Sequence, residues 1–154
     1  MTRMKGHAAI RGATRQDVPG IGRLQRRWAQ EKITHGFRPA SPVAIRRALG
    51  EWCYVAEING RLIGFVAGGV RVSDGLAVVT RGRRYLEIDD LYVAVSHRNR
   101  GVGHLLMNAI TGRARQRGIR YLTAYSSTKD AHRILRFYER HGFASWFVQV
   151  YRRL

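Results

Sequence analysis

A short loop containing two glycines is the pattern in this chain most directly related to chemistry. Gly101 and Gly103 stand close to Arg98 and Arg100, after a strand-like run and at the start of a helix-like run. Glycine lets bare backbone approach a ligand, and the first amides of a helix have no partner within that helix. These amides and the helix dipole favour an anion such as a phosphate, and arginine adds positive charge. The loop therefore predicts a phosphate-binding site, although glycines that serve only turn geometry give the same pattern.

Acidic side chains crowd one predicted strand in a chain that has few of them. Of ten Asp and Glu residues, Glu87, Asp89 and Asp90 fall within four positions. A carboxylate on a buried strand is costly unless it is paired or functional. We expect Glu87 to be a general base, since a partly desolvated carboxylate suits that role, and Asp89 or Asp90 to neutralise a cationic substrate. The alternative is that these acids pair with basic residues of the preceding segment, namely Arg81, Arg83 or Arg84.

Hydrophobic periodicity and turn residues predict the elements that must position these side chains. The predicted order is β-α-α-β-β-β-α-β-α-β, with a last strand or strand pair over 143–151. Asn59-Gly60 is typical of a type I′ hairpin, and Ser41-Pro42 is typical of a helix start. The strands predicted over 85–95 and 119–125 are joined by a helix, which favours a parallel pair.

Three segments resemble, in the right order, the motifs of one enzyme superfamily. Arg98, Gly101 and Gly103 match the Arg/Gln-x-x-Gly-x-Gly/Ala signature of motif A in the GNAT acetyltransferases, which move an acetyl group from acetyl-CoA to an amine. The run 10–17 resembles the first strand of that family and the turn into its first helix. The run 137–143 resembles the end of its motif B helix and the next strand. Together the three matches are much more specific than any one of them.

The resemblance implies a fold and a reaction. The expected fold is an α/β GNAT fold with a mixed sheet of six or seven strands, helices on both faces and a central parallel strand pair that splays apart. The expected reaction is transfer of an acetyl group from acetyl-CoA to a primary amine of an unidentified acceptor, by direct attack on the thioester. The acceptor is expected to be a small molecule or a peptide. The rival functions are a non-catalytic acyl-CoA sensor and, with less support, a basic nucleic-acid-binding protein.

The resemblance also implies roles for individual residues. Tyr138 matches the tyrosine that protonates the departing thiolate in many members, although it also completes an apolar helix stripe with Ile134 and Leu135. Glu87 stands eleven residues before Arg98, the spacing of a general-base glutamate in some protein-lysine acetylating members. Backbone at the splayed strand ends and in the loop is expected to hold the cofactor, through Val93, Val95, Arg98, Arg100, Gly101, Val102, Gly103 and His104.

The composition limits these expectations. A chain of 154 residues predicts one domain spanning 1–154, and its only cysteine, Cys53, excludes an internal disulfide and favours the cytoplasm. No apolar run reaches the roughly 18 residues that a membrane span needs, so no membrane partner is expected. The six histidines have no metal-ligand spacing, so no metal is expected.

The net charge of +18 is unusual for a chain of this length, and all but three of its 28 Lys and Arg residues are arginines. A charge of this size is compatible with a nucleic-acid partner. It is equally explained by arginines spread over solvated faces, because no single tail or segment carries them. The sequence leaves open which explanation holds and whether the chain forms a homodimer.

Overall fold

The computed structural model describes residues 7–154. It contains five strands and four helices in the order β1, α1, α2, β2, β3, β4, α3, β5, α4. The strands are β1 Ala9–Gly12, β2 Cys53–Ile58, β3 Arg61–Val72, β4 Arg84–Val93 and β5 Leu122–Ala124. The helices are α1 Val18–Glu31, α2 Pro42–Ala48, α3 Val102–Gln116 and α4 Ala131–Arg140.

Local sequence signals account for several of the element ends. Asn59 and Gly60 both have positive φ, 50° and 74°, which is the backbone that a type I′ hairpin turn requires between β2 and β3. The Ser41 side chain accepts a hydrogen bond from the backbone N–H of Ala44 and so caps α2. Asp130 caps α4 in the same way through the N–H of Arg133.

The five strands lie in the order β1-β2-β3-β4-β5, antiparallel except for the last pair. β4 and β5 run parallel, as predicted, and pair over only three positions, from Leu86 opposite Leu122 to Ile88 opposite Ala124. The pairing stops at Ile88, because β5 ends at Ala124 while β4 continues to Val93.

A bulge in β4 lies where this pairing ends. Ala67 of β3 pairs with Asp90 and the next residue, Gly68, pairs with Ile88, so that Asp89 is an extra residue on β4. The backbones approach closely here: a Cβ atom on Gly68 would lie 2.4 Å from the carbonyl oxygen of Glu87. Only glycine fits beside this bulge, and the bulge redirects the carboxylates of Asp89 and Asp90.

Helices cover both faces of the sheet, as predicted. On one face α1 and α2 pack against residues such as Val55, Phe65 and Tyr92. On the other face α3 packs against Val66, Leu86 and Ile88, with Phe137 and Tyr138 of α4 at the margin of that core. Each face has its own core, so the end of β4 is held between two packed layers.

The prediction of six or seven strands is wrong, because the segment 143–151 forms no strand and the sheet has five. Phe143 packs against the core, but the residues after it are exposed. A strand needs a hydrogen-bonding partner, and β5, the edge strand at the end of the sheet, is only three residues long. The apolar run was recognisable in the sequence, whereas the lack of a pairing partner for it was not.

Candidate active site

A cavity of about 1220 Å³ lies beside the ends of β4 and β5. Its walls come from the end of β4, the residues after β5, the loop and first turn of α3, the inner face of α4, and the segment that follows α1. A volume of this size accommodates a large ligand, since pockets for small molecules usually measure about 300–1,000 Å³. The cavity lies at the carboxyl ends of a parallel strand pair, where ligands bind in open α/β sheets.

The loop with two glycines forms one end of this cavity. Gly101 is the N-cap residue of α3 and has a φ of 81°, a left-handed backbone that favours glycine. Gly103 lies against α4, where an added Cβ atom would come within 3.3 Å of the Phe137 ring. Gly101, Val102, Gly103 and His104 all line the cavity, so the first turn of α3 faces it. The free amides of this turn can therefore bind an anion inside the cavity.

Arg98 lines the cavity, but its guanidinium is already engaged by protein groups. Nη1 lies 2.7 Å from Oε2 of Glu31, Nη2 donates to Oε1 of the same carboxylate, and Nε donates to the carbonyl oxygen of Val93 at 2.8 Å. The guanidinium also lies over the Tyr92 ring, and the Tyr92 hydroxyl donates to Glu31. Arg98 thus ties the end of β4 to the end of α1, and Glu31 is a site residue that the sequence analysis missed.

Tyr138 projects from α4 into the cavity. Its ring packs edge-on against Phe137 and Phe143, at centroid distances of 5.5 and 5.2 Å. Burial raises the pKa of the Tyr138 hydroxyl to about 12, so this group keeps its proton at neutral pH. Within residues 7–154 the hydroxyl has no hydrogen-bond partner, which leaves it available to a ligand.

Of the three clustered acids, Asp89 and Asp90 line the cavity and Glu87 does not. Glu87 Oε1 lies 4.0 Å from Nε of Arg71, and Asp89 Oδ1 lies 3.4 Å from Nη2 of the same arginine. The acids therefore do have a basic neighbour, but it is Arg71 on β3 and not one of the arginines over 81–84.

Asp90 differs from its two acidic neighbours. Among the described residues it has neither an ion pair nor a hydrogen bond, although the chain is rich in arginine. Burial, together with the charge of Asp89, raises the pKa of the Asp90 carboxyl to about 6. A half-buried carboxylate without a protein cation, facing a cavity, favours a cationic or proton-donating ligand.

The remaining predicted cofactor residues divide into two groups. Val93 lines the cavity, whereas Val95 and Arg100 do not. Val95 begins a short 3₁₀ turn after β4 and its side chain is 61% exposed. The structure therefore brings Asp89, Asp90, Val93, Arg98, the residues 101–104 and Tyr138 together, and it leaves Glu87, Val95 and Arg100 outside.

Two further features of the cavity are contacts between its side chains. Trp28 stacks between Phe37 and Tyr92, at centroid distances of 4.0 and 5.3 Å, and forms an aromatic wall. On the opposite side Nδ1 of His104 lies 3.2 Å from Nε2 of His141. Burial, then the neighbouring His104 and Arg140, lowers the pKa of His141. These contacts join residues far apart in the sequence, so local patterns cannot reveal them.

Comparison with known proteins decides the family. A sequence model described as the acetyltransferase (GNAT) family matches residues 23–143, most of the chain. This chain belongs to the GNAT acetyltransferases. The resemblance predicted from its motifs is thereby confirmed, and the protein is an acyltransferase enzyme. A search of curated proteins found no match.

Solved structures share the fold of this GNAT enzyme at low sequence identity. An aminoglycoside acetyltransferase from an uncultured soil metagenomic sample, solved with trehalose, is 18% identical with a TM-score of 0.72, over 96% of both chains. A ribosomal-protein-alanine N-acetyltransferase from Brucella melitensis biovar Abortus 2308 is 20% identical with a TM-score of 0.69, over 95% of this chain and 99% of that one. A protein from Clostridium acetobutylicum described as a predicted acetyltransferase, solved with acetyl-CoA, is 16% identical with a TM-score of 0.70, over 94% of this chain and 96% of that one.

Two further features are absent from residues 7–154. No group of three or more His, Cys, Asp or Glu side chains there is arranged to hold a metal ion. No helix in that range is long and apolar enough to cross a membrane.

Proposed function

We propose that this enzyme transfers an acetyl group from acetyl-CoA to a primary amine that carries positive charge before it reacts. The observation that supports this most is that one cavity contains both an anion-binding helix turn and an unpaired carboxylate. The amide-rich first turn of α3 forms one end, and the unpaired carboxylate of Asp90 and the hydroxyl-bearing Tyr138 also line the cavity. An anionic donor and a cationic acceptor would thus meet in this cavity.

The residues present fit acetyl-CoA. Its diphosphate would lie on the amides of the first turn of α3, where Gly101 and Gly103 have no side chains to obstruct it. Its extended arm would run along the separated end of β4, past Val93. In this proposal Arg98 acts by holding that strand end through Glu31, with its charge still close to the phosphates. The side chains of Val95 and Arg100 do not line the cavity. Val95 would therefore contribute through its backbone, and Arg100 through its backbone and its positive charge.

Tyr138 is the proposed general acid. Acetyl-CoA supplies a thioester, and transfer breaks its C–S bond as the amine nitrogen bonds to the carbonyl carbon. The departing thiolate then needs a proton, and the Tyr138 hydroxyl still holds one at neutral pH because burial raises its pKa. The tyrosinate that results would recover its proton from solvent through the open cavity.

The proposed base is one of the clustered carboxylates. Glu87 was expected in this role, but it faces Arg71 and does not line the cavity, so it could act on the amine only through a linking water molecule. Asp90 lies in the cavity with a pKa raised to about 6, close to the pH at which a base must work. We therefore rank Asp90 as the residue that binds the ammonium and accepts its proton, with Glu87 and Asp89 supporting the local negative potential.

The acceptor class is proposed from the wall opposite the cofactor. Asp89 and Asp90 provide negative charge there, beside the aromatic wall of Trp28, Phe37 and Tyr92. One structural neighbour is an aminoglycoside acetyltransferase and another acetylates ribosomal-protein alanine. A small polyamine, an aminoglycoside and a peptide N-terminus are therefore the acceptors to compare.

The test is release of free CoA thiol from acetyl-CoA with a panel of these amines, measured with wild-type enzyme and with Asp90→Asn, Asp89→Asn and Glu87→Gln. We expect turnover with at least one cationic amine and none with an uncharged alcohol of similar shape. Loss of the acidic limb of the pH–rate profile in Asp90→Asn alone supports Asp90 as the base, and loss in Glu87→Gln alone returns that role to Glu87. Acetyl-CoA binding without turnover for every amine would refute the proposal.

A further inference from the structure

A second, smaller cavity adjoins the active-site cavity under helices α1 and α2. Its volume is about 90 Å³, and its walls come from these two helices and from strands β2, β3 and β4. Gln25, Ala40 and Asp90 line both cavities, so the two adjoin at these residues. We call the smaller cavity the side pocket and the place where it adjoins the larger one its mouth. The proposed reaction involves the carboxylate of Asp90 but not the space behind it.

The side pocket is apolar except at its mouth. Apart from Gln25 and Asp90 its lining residues are hydrophobic, among them Ile21, Ala44, Ile45, Cys53, Phe65 and Ala67. Burial raises the pKa of the Cys53 thiol to about 12, so this side chain is uncharged at neutral pH. A water molecule in a cavity needs two to four polar partners, which these walls do not offer. An apolar group of a ligand therefore fits the inner part of the side pocket better than water does.

The volume of the side pocket limits the size of that group. An apolar cavity of about 150 Å³ in another protein holds a benzene ring. In the same proportion, about 90 Å³ has room for roughly three or four carbon atoms. A short aliphatic group such as isopropyl fits this space, and an aromatic ring exceeds it.

Two polar side chains at the mouth are available to a ligand. Gln25 is buried, and its Oε1 accepts the backbone N–H of Ala40 at 2.8 Å, which fixes the orientation of the side-chain amide. Within residues 7–154 the amide nitrogen of Gln25 has no hydrogen-bond partner, so it can donate to a ligand. The carboxylate of Asp90, which lacks a protein cation, lies at the same mouth. The mouth thus offers one hydrogen-bond donor and one negative charge in front of an apolar space.

An α-aminoacyl group has the complementary parts around a single carbon atom: an ammonium, a carbonyl oxygen and a side chain. We propose that the acceptor is the α-amino group of a residue with a short aliphatic side chain, such as alanine or valine. The ammonium binds Asp90, the carbonyl oxygen accepts a hydrogen bond from Nε2 of Gln25, and the side chain occupies the side pocket. This assignment rests on the proposed transfer of acetyl to a cationic amine and narrows its acceptor.

The side pocket also discriminates against the other cationic amines considered above. A linear polyamine has no side chain next to its terminal nitrogen, so it leaves the pocket unfilled. An aminoglycoside brings hydroxyl groups close to its amines, and burying a hydroxyl against apolar walls without a hydrogen-bond partner is costly.

A graded series of amino-acid amides tests the fit with the wild-type enzyme at saturating acetyl-CoA. The kcat/KM should rise roughly 10-fold or more from glycinamide to valinamide, the usual discrimination by an apolar pocket. Threoninamide, in which a hydroxyl replaces one methyl of valinamide, and phenylalaninamide should both be poorer acceptors than valinamide. Isobutylamine keeps the ammonium and isopropyl group of valinamide without its carbonyl, and its KM should be several-fold higher. A flat series, or isobutylamine with the KM of valinamide, overturns the proposal.

Two variants should change this preference in opposite directions. Ala67→Val narrows the side pocket and should lower the kcat/KM of valinamide relative to glycinamide by roughly 10-fold. Cys53→Ala widens the pocket and should raise the kcat/KM of leucinamide relative to valinamide several-fold. Ala13→Val is the matched control, because Ala13 packs against the same core without lining either cavity, and it should leave both ratios unchanged.

Circular dichroism of each variant establishes that it is folded, and Cys53→Ala alone suffices for the test if Ala67→Val does not fold. Ratios that remain at their wild-type values in folded pocket variants overturn the proposal. A free amino acid and a peptide N-terminus both present an α-aminoacyl group, so L-valine and valylglycinamide are compared. Acetylation of either one supports the side pocket and identifies the source of the acceptor.

The acceptor panel also separates failure of this proposal from failure of the proposed function. If a polyamine or an aminoglycoside is acetylated and no amino-acid amide is, acetyl transfer to a cationic amine stands and the assignment of the side pocket is wrong. If acetyl-CoA binds and no amine of any class is acetylated, the proposed function fails and the acceptor assigned here fails with it.

Discussion

At the scale of single residues, the hydroxyl of Tyr138 gives the sharpest prediction. Tyr138→Phe should lower kcat by roughly 10²–10⁴-fold, the usual contribution of a general acid, and leave the affinity for acetyl-CoA unchanged. The fold should persist because the ring contacts with Phe137 and Phe143 remain. Steady-state kinetics, calorimetry with acetyl-CoA and urea unfolding measure the three quantities. Tyr121→Phe is the control, because it removes a hydroxyl that does not line the cavity. A wild-type kcat in Tyr138→Phe would show that Tyr138 is a core residue only.

Asp90 gives a prediction about stability as well as rate. Its carboxyl has a pKa raised from 3.8 to about 6, so the folded chain holds this proton more tightly than the unfolded chain does. The stability linked to this proton is present at low pH and is lost as the pH rises from about 4 to about 6. Above that range the wild type carries a poorly solvated charge that Asn lacks.

Asp90→Asn should therefore raise the free energy of unfolding at about pH 8 by at most about 3 kcal/mol, at roughly 1.4 kcal/mol per pKa unit, and by about a third of that at about pH 4.5. Urea unfolding at the two pH values measures the difference. Asp74→Asn, at an exposed turn, is the matched control and should have the same effect at both pH values. An equal effect of Asp90→Asn at both pH values would contradict the raised pKa. A more stable but slower variant is typical of a functional carboxylate.

At the scale of elements, the ion pair of Glu31 and Arg98 joins the end of α1 to the loop before α3. Both side chains are mostly buried, at 17% and 20% exposure, so breaking the pair should cost between the values of an exposed and a buried pair, roughly 1–3 kcal/mol. Glu31→Gln should also raise the KM for acetyl-CoA, because Arg98 then no longer fixes the carbonyl of Val93. Kinetics and urea unfolding measure both effects.

The matched control for that ion pair is Glu51→Gln, which removes the pairing of Glu51 with Arg113 and Arg117 at the far end of α3. It should leave the KM for acetyl-CoA unchanged. If Glu31→Gln lowers stability but leaves that KM at its wild-type value, the pair supports the fold without positioning the cofactor loop.

The elements also show which features the sequence could predict and why it could not predict the long-range contacts. The hairpin at Asn59-Gly60, the cap at Ser41 and the parallel pair follow from local signals, because φ preference, capping and periodicity act within a few residues. The contact of Glu31 with Arg98 spans 67 positions, and nothing in either neighbourhood selects the other. Asp17 illustrates the same limit: the acid before α1 does not cap that helix but binds Arg11 and the N–H of Thr14.

The prediction of a strand over 143–151 was wrong for a different reason. Its residues have the composition of a buried strand, but composition specifies burial and not the partner. In one chain the available edge is three residues of β5. A strand sequence without a pairing edge long enough to hold it stays out of the sheet.

At the scale of the whole molecule, a net charge of +18 acts in opposite directions on the two proposed substrates. Acetyl-CoA carries several negative charges on its phosphates and is attracted from a distance, whereas a cationic amine is repelled until it reaches Asp89 and Asp90. The Debye length falls from about 30 Å at 0.01 M to about 8 Å at 0.15 M ionic strength, so salt screens the long-range part of both effects and affects the close contacts less.

Raising the ionic strength over that range should therefore weaken acetyl-CoA binding several-fold and lower the KM for a cationic acceptor. Calorimetry with acetyl-CoA measures the first effect, and initial rates at saturating acetyl-CoA measure the second. S-acetylpantetheine is the matched control for the donor, because it keeps the thioester and most of the arm but lacks the phosphates; its KM should hardly respond to salt. If acetyl-CoA and S-acetylpantetheine respond alike, the surplus arginines do not steer the donor. Their charge would then be a property of solvated surfaces, as the even spread of arginine along the chain allows.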